Sequence, residues 1–347
     1  MISPLLDVLL GDDAIAAQFA PEAELEEFGW FEAALAHAEA AEGVISEDAA
    51  AAIASACIGF VPDQPALRAA TARDGVVAPD YVRQLRARIG EPYARYLHLG
   101  ATSQDLIDTS LVRRLLPILP EFDDRLARIG AALDALTERL GPVPLMARTR
   151  MQDAIPITVG DRLAAWGGPL PRHRTRLAEL SPRLLVLQFG GAAGTLDRLE
   201  EHAPAVARRL AEALDLGLPP GPWHSQRDNL AEFASWLSLV SGSLGKIGLD
   251  LGLMAQQGEA AIAGGGASSA MPHKSNPIGT EVLVALARHN AGLVGSMHQA
   301  LLAEQERSGA AWTLEWLTLP EMVLTTAASL RIALTTLQNI TRLGGAT

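Results

Sequence analysis

Cysteine is almost missing from this chain. Cys57 is the only one in 347 residues, so no disulfide can close within it. Its setting in AAAAIASACIGF predicts a buried, unreactive thiol. Aromatic residues make up only 5% of the chain, while Ala, Leu, Glu and Arg abound, which favours helix over sheet. Basic residues are outnumbered, 28 against 40 acidic, for a net charge of −12. That balance excludes non-specific attraction to nucleic acid or to an anionic membrane, and an anionic substrate would need local cations. A basic leader is also missing. MISPLLDVLLGDDAIAAQF carries three early aspartates, so it is no signal peptide, and a reducing cytoplasm is expected. No uninterrupted apolar run reaches spanning length; the longest, 237–253, is broken by Lys246 and Asp250. There is no Walker spacing and no GxGxxG after a strand. No His/Cys/Asp/Glu cluster has metal-ligand spacing. The expectation is a chain without cofactor or metal and without membrane or nucleic-acid partners.

What is present is helical periodicity. Leu25, Phe28, Phe31, Leu35 and Ala38 recur at three- and four-residue spacing and predict an amphipathic helix over 22–42, stopped at Gly43. Ser46 then caps SEDAAAAIASA. Short helices and turns, punctuated by Pro62, Pro65, Pro79 and Pro92, complete a small N-terminal helical domain over 1–97. The remainder, 98–347, reads as a bundle of long helices at 103–140, 153–188 (broken by GGPLP at 167–171), 196–215, 225–262, 276–305 and 311–343. The helix at 225–262 is apolar on most of its surface, which predicts burial against other subunits. Ser241, Gly242, Gly245, Gly248 and Gly252 would let a neighbouring helix approach closely. The fold class is all-α.

Three polar segments interrupt this background. In HLGATSQDLIDT (98–109), Thr102 or Ser103 can cap a helix whose free N–H groups suit a carboxylate; a merely well-capped helix is the plain alternative. RTRMQDAIP (148–156) places two arginines and a glutamine before an expected helix start at Asp153, and arginine pairs with carboxylates. AGGGASSAMPHKSNP (263–277) joins three glycines to two serines, a lysine and an asparagine, more chemistry than a linker needs.

SSAMPHKSNP resembles the S-S-x-M-P-x-K-x-N-P signature of the fumarase/aspartase superfamily. The other two segments match that superfamily's remaining motifs, in the right order. DVLLGDDAIAAQFAPEAELEEFGWFEAALAHAEAAEGVI, LQFGGAAGTL (187–196), PWHSQRD (222–228) and GAAWTLEWLTLPE (309–321) are similar to the bacterial carboxymuconate cycloisomerase branch. Arg150 stands where the adenylosuccinate lyase branch has histidine, and Trp316 where it usually has arginine. Two departures from the family are Ala267, usually glycine, and Gln305, often histidine in related cycloisomerases. Many relatives continue into a small C-terminal helical domain, and the resemblance implies a natural short form without it.

The resemblance implies a cofactor-free intramolecular lyase that interconverts 3-carboxy-cis,cis-muconate and 4-carboxymuconolactone in protocatechuate degradation. Ser268 would transfer the proton, with Lys274 supporting its alkoxide. Lys274 and Asn276 would hold one substrate carboxylate, Thr102 and Ser103 another, and Arg150 the third of a tricarboxylate. Gln152 and His98 would line the cleft, His98 orienting substrate or relaying a proton. Gln104, Ser269, Met271, His224 and Gln226 complete the expected binding residues; His273 is a family position without an assigned role. The family's three segments meet from three subunits, which implies a homotetramer with shared active sites. The alternatives are a fumarate-releasing lyase like adenylosuccinate lyase and a catalytically silent structural homologue.

Overall fold

The computed structural model describes residues 5–267, 271 and 275–345, without the side chains of Ala267 and Ser275. Ser268, Ser269, His273 and Lys274 lie outside the described residues. Two short helices, α1 (Asp7–Leu10) and α2 (Asp13–Ala16), lead into α3 (Pro21–Ala41). Pro21 fits the first turn of α3, where its missing N–H costs nothing. Gly43, at φ +74°, lies just beyond its end. Ser46 opens α4 (Glu47–Cys57) by accepting the Ala49 N–H at 3.2 Å, as its sequence position predicts. Then come α5 (Gln64–Asp74) and α6 (Ala78–Ile89).

The expected single helix over 103–140 is two helices, α7 (Ser103–Leu115) and α8 (Ile118–Leu140). Pro117 separates them, because it has no N–H to donate and its ring collides with the preceding turn. The segment expected to enter a helix at Asp153 is a β-hairpin, β1 (Pro144–Thr149) against β2 (Gln152–Thr158). Ile155, Pro156, Ile157 and Thr158 suit an extended chain. The helix waits for Thr158, whose hydroxyl and Asp161 form a reciprocal cap on α9 (Val159–Gly167). GGPLP does break the next stretch, and α10 (Pro169–Leu184) begins at Pro169. After α11 (Ala203–Ala213), α12 (Asp228–Gln256) ends earlier than 262 and gives way to β3 (Ala260–Ile262). The ribbon of β4 (Gly266–Ala267) and β5 (Ser275–Asn276) precedes α13 (Ile278–Gln299). Last come α14 (Gly309–Gln338) and β6 (Ile340–Leu343), which pairs with β3. The all-helical architecture stands, with short antiparallel ribbons at helix ends.

The long helices pack side by side. Glu315 meets Arg227 at one end of α12 and α14, and β6 meets β3 at the other, so these two helices run parallel. Thr280 lies against Gly248 and Ala287 against Gly245, so α13 runs antiparallel to both. A methyl group on Gly245 would meet the Ala287 Cβ at 2.4 Å, and one on Gly248 the Thr280 carbonyl at 2.7 Å. The small residues at these two positions therefore set the spacing of α12 and α13, whereas Gly242 has nothing within 4 Å among the described residues. Trp236 stacks with Phe122 and Phe233 in the core and donates Nε1–H to the His173 carbonyl at 2.9 Å. Truncating it to alanine would cost about 3–5 kcal/mol. By length and composition alone, α12 and α14 would suffice to cross a bilayer, yet both are packed into the core of this chain. Leu239 and Leu249 on α12 remain exposed, as does Trp30 on α3.

Candidate active site

Four of the segments singled out in the sequence converge at the end of the bundle where α12 and α14 begin. Asp105, fully buried on α7, ties three of them together. Its Oδ1 accepts the Gly190 N–H at 2.9 Å and lies 2.7 Å from His224 Nε2. Its Oδ2 accepts the N–H groups of Gly191 and Thr102, each at 2.9 Å. Gly191 has φ +68°, and a side chain there would strike the Gly100 carbonyl at 2.7 Å, so only glycine lets these loops touch. One carboxylate thus fixes the 98–102 loop, the 190–191 turn and His224.

Below this lies a second buried network. Arg227 donates to Asp108 at 2.6 Å and to Glu315 at 2.5 Å, with its guanidinium over the Trp223 ring. Burial works against its charge, but Asp108 and Glu315 outweigh that and hold its pKa above the ordinary value. Trp312 Nε1 also donates to Asp108, at 2.9 Å. Gln104 belongs to this scaffold. It is buried, and its amide donates to the His224 carbonyl at 2.9 Å and to Asp108 at 3.2 Å. His224 is equally buried, and exposed Gln226 donates back to the Pro222 carbonyl at 3.3 Å. Within one chain Gln104 and His224 are buried parts of the frame, while Gln226 is exposed beside them.

Nearer the surface, Thr102 and Ser103 start α7 half-buried. The Thr102 hydroxyl accepts from Arg307 Nη1 at 2.7 Å. Arg307 escaped sequence reasoning, which attended only to Gln305 in AEQERSG; its position just before the α14 cap, Ser308, was the available signal. Beside them His98 sits at φ +62°, its Nδ1 2.6 Å from the Glu32 carboxylate. Burial alone would lower the His98 pKa, but the charge and hydrogen bond of Glu32, with Asp105 behind, raise it above the ordinary value. Hydroxyls, a guanidinium and an imidazole thus gather near one helix N-terminus, an arrangement whose charge and donors suit a carboxylate.

The other expected residues that the structure describes, Arg150, Gln152, Met271 and Asn276, lie elsewhere. Arg150 and Met151 form the hairpin tip, both in the left-handed region at φ +50° and +65°. Two such residues suit a tight hairpin turn, but without glycine or asparagine they are strained by about 1–2 kcal/mol each. Gln152, beside them, is exposed. Arg148, at the same hairpin, pairs with Glu259 at 2.6 Å, three residues past the end of α12. Asn276 pairs with Gly266 just before α13 begins, and Met271 is exposed. Arg227, at the same end of the bundle as Thr102, is the residue just before the other end of α12. A 29-residue helix is about 43 Å long, so Arg150 and Asn276 stand far from Thr102 in the same chain. Among the described residues, no group of three His, Cys, Asp or Glu is placed to hold a metal ion.

A family model described as lyase matches residues 12–292. The 3-carboxy-cis,cis-muconate cycloisomerase of Pseudomonas aeruginosa is 46% identical over 97% of this chain and 75% of its own. The crystal structure of the 3-carboxy-cis,cis-muconate lactonizing enzyme from Pseudomonas putida superposes with a TM-score of 0.91 at 43% identity, over 98% of this chain and 77% of that one. A fumarate lyase from Mesorhizobium gives a TM-score of 0.90 at 36% identity, over 96% and 76% of the two chains. Family match, identity and superposition agree along nearly the whole sequence, and the chain belongs to the lyase family of the fumarase/aspartase superfamily.

Proposed function

We propose that this chain is a 3-carboxy-cis,cis-muconate cycloisomerase, interconverting that tricarboxylate with 4-carboxymuconolactone in the degradation of protocatechuate. The observation that carries the reading is 46% identity to a relative of that name across 97% of the chain. The carboxylate-binding group at the start of α7 supports it. In the lactonising direction one carboxylate oxygen adds across a double bond, and negative charge builds on another carboxylate as an enolate-like dianion. Stabilising that dianion is the main electrostatic task. Thr102, Ser103, Arg307 and His98 hold one carboxylate, and Arg150 with Gln152 a second. Lys274 and Asn276 hold the third, and Ser268 exchanges the proton with carbon. A serine hydroxyl is a poor base, and the Lys274 charge lowers the cost of its alkoxide.

Among the described residues, Thr102 and His98 belong to one end of a long bundle and Arg150 and Asn276 to the other, so one chain does not bring these together. We propose a cytoplasmic homotetramer in which each site draws residues from several copies. The exposed hairpin tip with Met151 and Ile155, and the exposed Leu239 and Leu249 of α12, are the apolar surfaces for that assembly. The unit over 1–97 and the bundle over 98–347 then act as separate parts of the frame, with the site at their junction.

The test is spectrophotometric. Adding the protein to 3-carboxy-cis,cis-muconate should abolish the diene absorbance and form the lactone. Fumarate release from adenylosuccinate, with carboxymuconate left untouched, would overturn the reading in favour of an eliminating lyase. No turnover of either would leave a structural homologue.

A further inference from the structure

Behind His98 the inner face of α3 carries two buried acids that the reaction scheme does not use. Glu32, on the inner face of α3, has a fully buried side chain, and Oε1 is its contact with His98. Its Oε2 has no hydrogen-bond partner among the described residues. Seven residues on, and so on the same face of the helix, Glu39 is fully buried with neither carboxyl oxygen partnered. Burial, and then the Glu32 charge, push the Glu39 carboxyl up to about 9, so it is neutral at pH 7. Acids are seldom fully buried unless something requires them, and alanine would pack at either position at far lower cost.

We propose that Glu32 is a positioning residue for His98. It turns Nδ1–H inward and keeps the ring an imidazolium, so that Nε2–H serves as the cationic donor to a substrate carboxylate beside Thr102. The surroundings leave Glu32 in charge of this balance. Cys57 at the end of α4 and Tyr81 on α6 are pushed up by burial and stay neutral. Asp105 on α7 adds negative charge but is committed to its own hydrogen bonds. Arg86 on α6 opposes protonation and is turned to the Leu97 carbonyl at 3.0 Å. From α11, Arg209 pairs with Glu42, beyond Glu39. Among the described residues Nε2 of His98 makes no hydrogen bond, which leaves it free for substrate.

Only the kinetic consequence rests on the cycloisomerase reading; the protonation state does not. The experiment is a histidine ¹⁵N NMR titration of the intact protein, with the His98 signal assigned by its loss in His98→Gln. We expect a midpoint above 6.5, lowered in Glu32→Gln and partly restored in Glu32→Asp. A wild-type midpoint at or below 6.5 overturns the proposal, and so does one that Glu32→Gln leaves unmoved. In carboxymuconate assays Glu32→Gln should lower kcat/KM roughly 10-fold between the two midpoints. The deficit should vanish at lower pH, where the ring is protonated in both proteins. A deficit independent of pH would assign Glu32 a purely structural role and defeat the proposal. If Glu32→Gln does not fold, the wild-type titration decides alone. If carboxymuconate is not turned over while the titration behaves as expected, the function fails and the pairing of Glu32 with His98 stands.

Discussion

Arg307 reaches back across 205 residues of chain to donate a 2.7 Å hydrogen bond to the Thr102 hydroxyl. It is half-buried and has no carboxylate partner among the described residues, so its charge is uncommitted. That is the state expected of a cation waiting for an anionic substrate. Arg307→Ala should raise KM for carboxymuconate roughly 10- to 100-fold, the worth of a charge-assisted hydrogen bond, with a smaller change in kcat. Arg307→Lys should recover part of the loss, because it keeps the charge but not the planar fork. Steady-state kinetics check both, with a melting curve to show that the fold persists.

Arg227 is the opposite case, a fully committed arginine. It lies buried between Asp108 and Glu315 and bonds both. Arg227→Met would keep much of the side-chain volume but leave two buried carboxylates unpaired. The expected cost is about 3–5 kcal/mol of stability, read by chemical denaturation at a fixed protein concentration, since assembly adds to the apparent stability. Arg227→Lys should lose less, because one ammonium still neutralises one acid.

These two arginines show how far sequence reading reaches. Local signals were legible. The spacing of Leu25, Phe28, Phe31 and Leu35 gave α3, Ser46 gave the start of α4, and GGPLP gave the break before α10. The motif at 98–109 led to the group that α7 positions. What stayed hidden depends on contacts distant in sequence. Glu32 looked like one more acid in a helix rich in them, and only folding brings His98 to it from 66 residues away. The hairpin at 144–158 was missed because Arg150 and Met151 occupy left-handed positions that usually call for glycine or asparagine. Gln104 and His224 were legible as important, but whether they line the cleft or hold its frame follows from burial, which no motif encodes.

Glu39 makes a prediction with a definite sign. Its carboxyl is raised from 4.5 to about 9 by burial first and Glu32 second. A group raised in the fold contributes stability that is fully present below its unfolded pKa and lost as pH rises through the folded value. Glu39 should therefore make the protein steadily less stable from about pH 4.5 to about pH 9. Glu39→Gln, neutral at every pH, should remove that slope. Its gain over wild type should be under about 1 kcal/mol at pH 5 and reach on the order of 4 kcal/mol by pH 8. Denaturation at the two pH values measures it, and an equal effect at both would contradict the assignment.

The separation of Thr102 from Arg150 can be turned into a test of assembly. Thr102 stands where α12 begins, and the hairpin carrying Arg150 is anchored through Arg148 to Glu259, past where α12 ends. If a site takes these residues from different copies, Thr102→Ala and Arg150→Ala damage different contributors to it. Each variant alone should be strongly impaired, because every site in a uniform tetramer carries the same lesion. Mixed tetramers, made by co-expression or by joint refolding, should regain activity. With random mixing, about one site in four receives an intact contributor of both kinds, by the symmetry of the assembly. Activity near a quarter of wild type is thus the expected ceiling for an equal mixture. A mixture no more active than the mean of its two parents would mean that each chain completes its own site, and the division of labour between the two ends of the bundle would have to be abandoned.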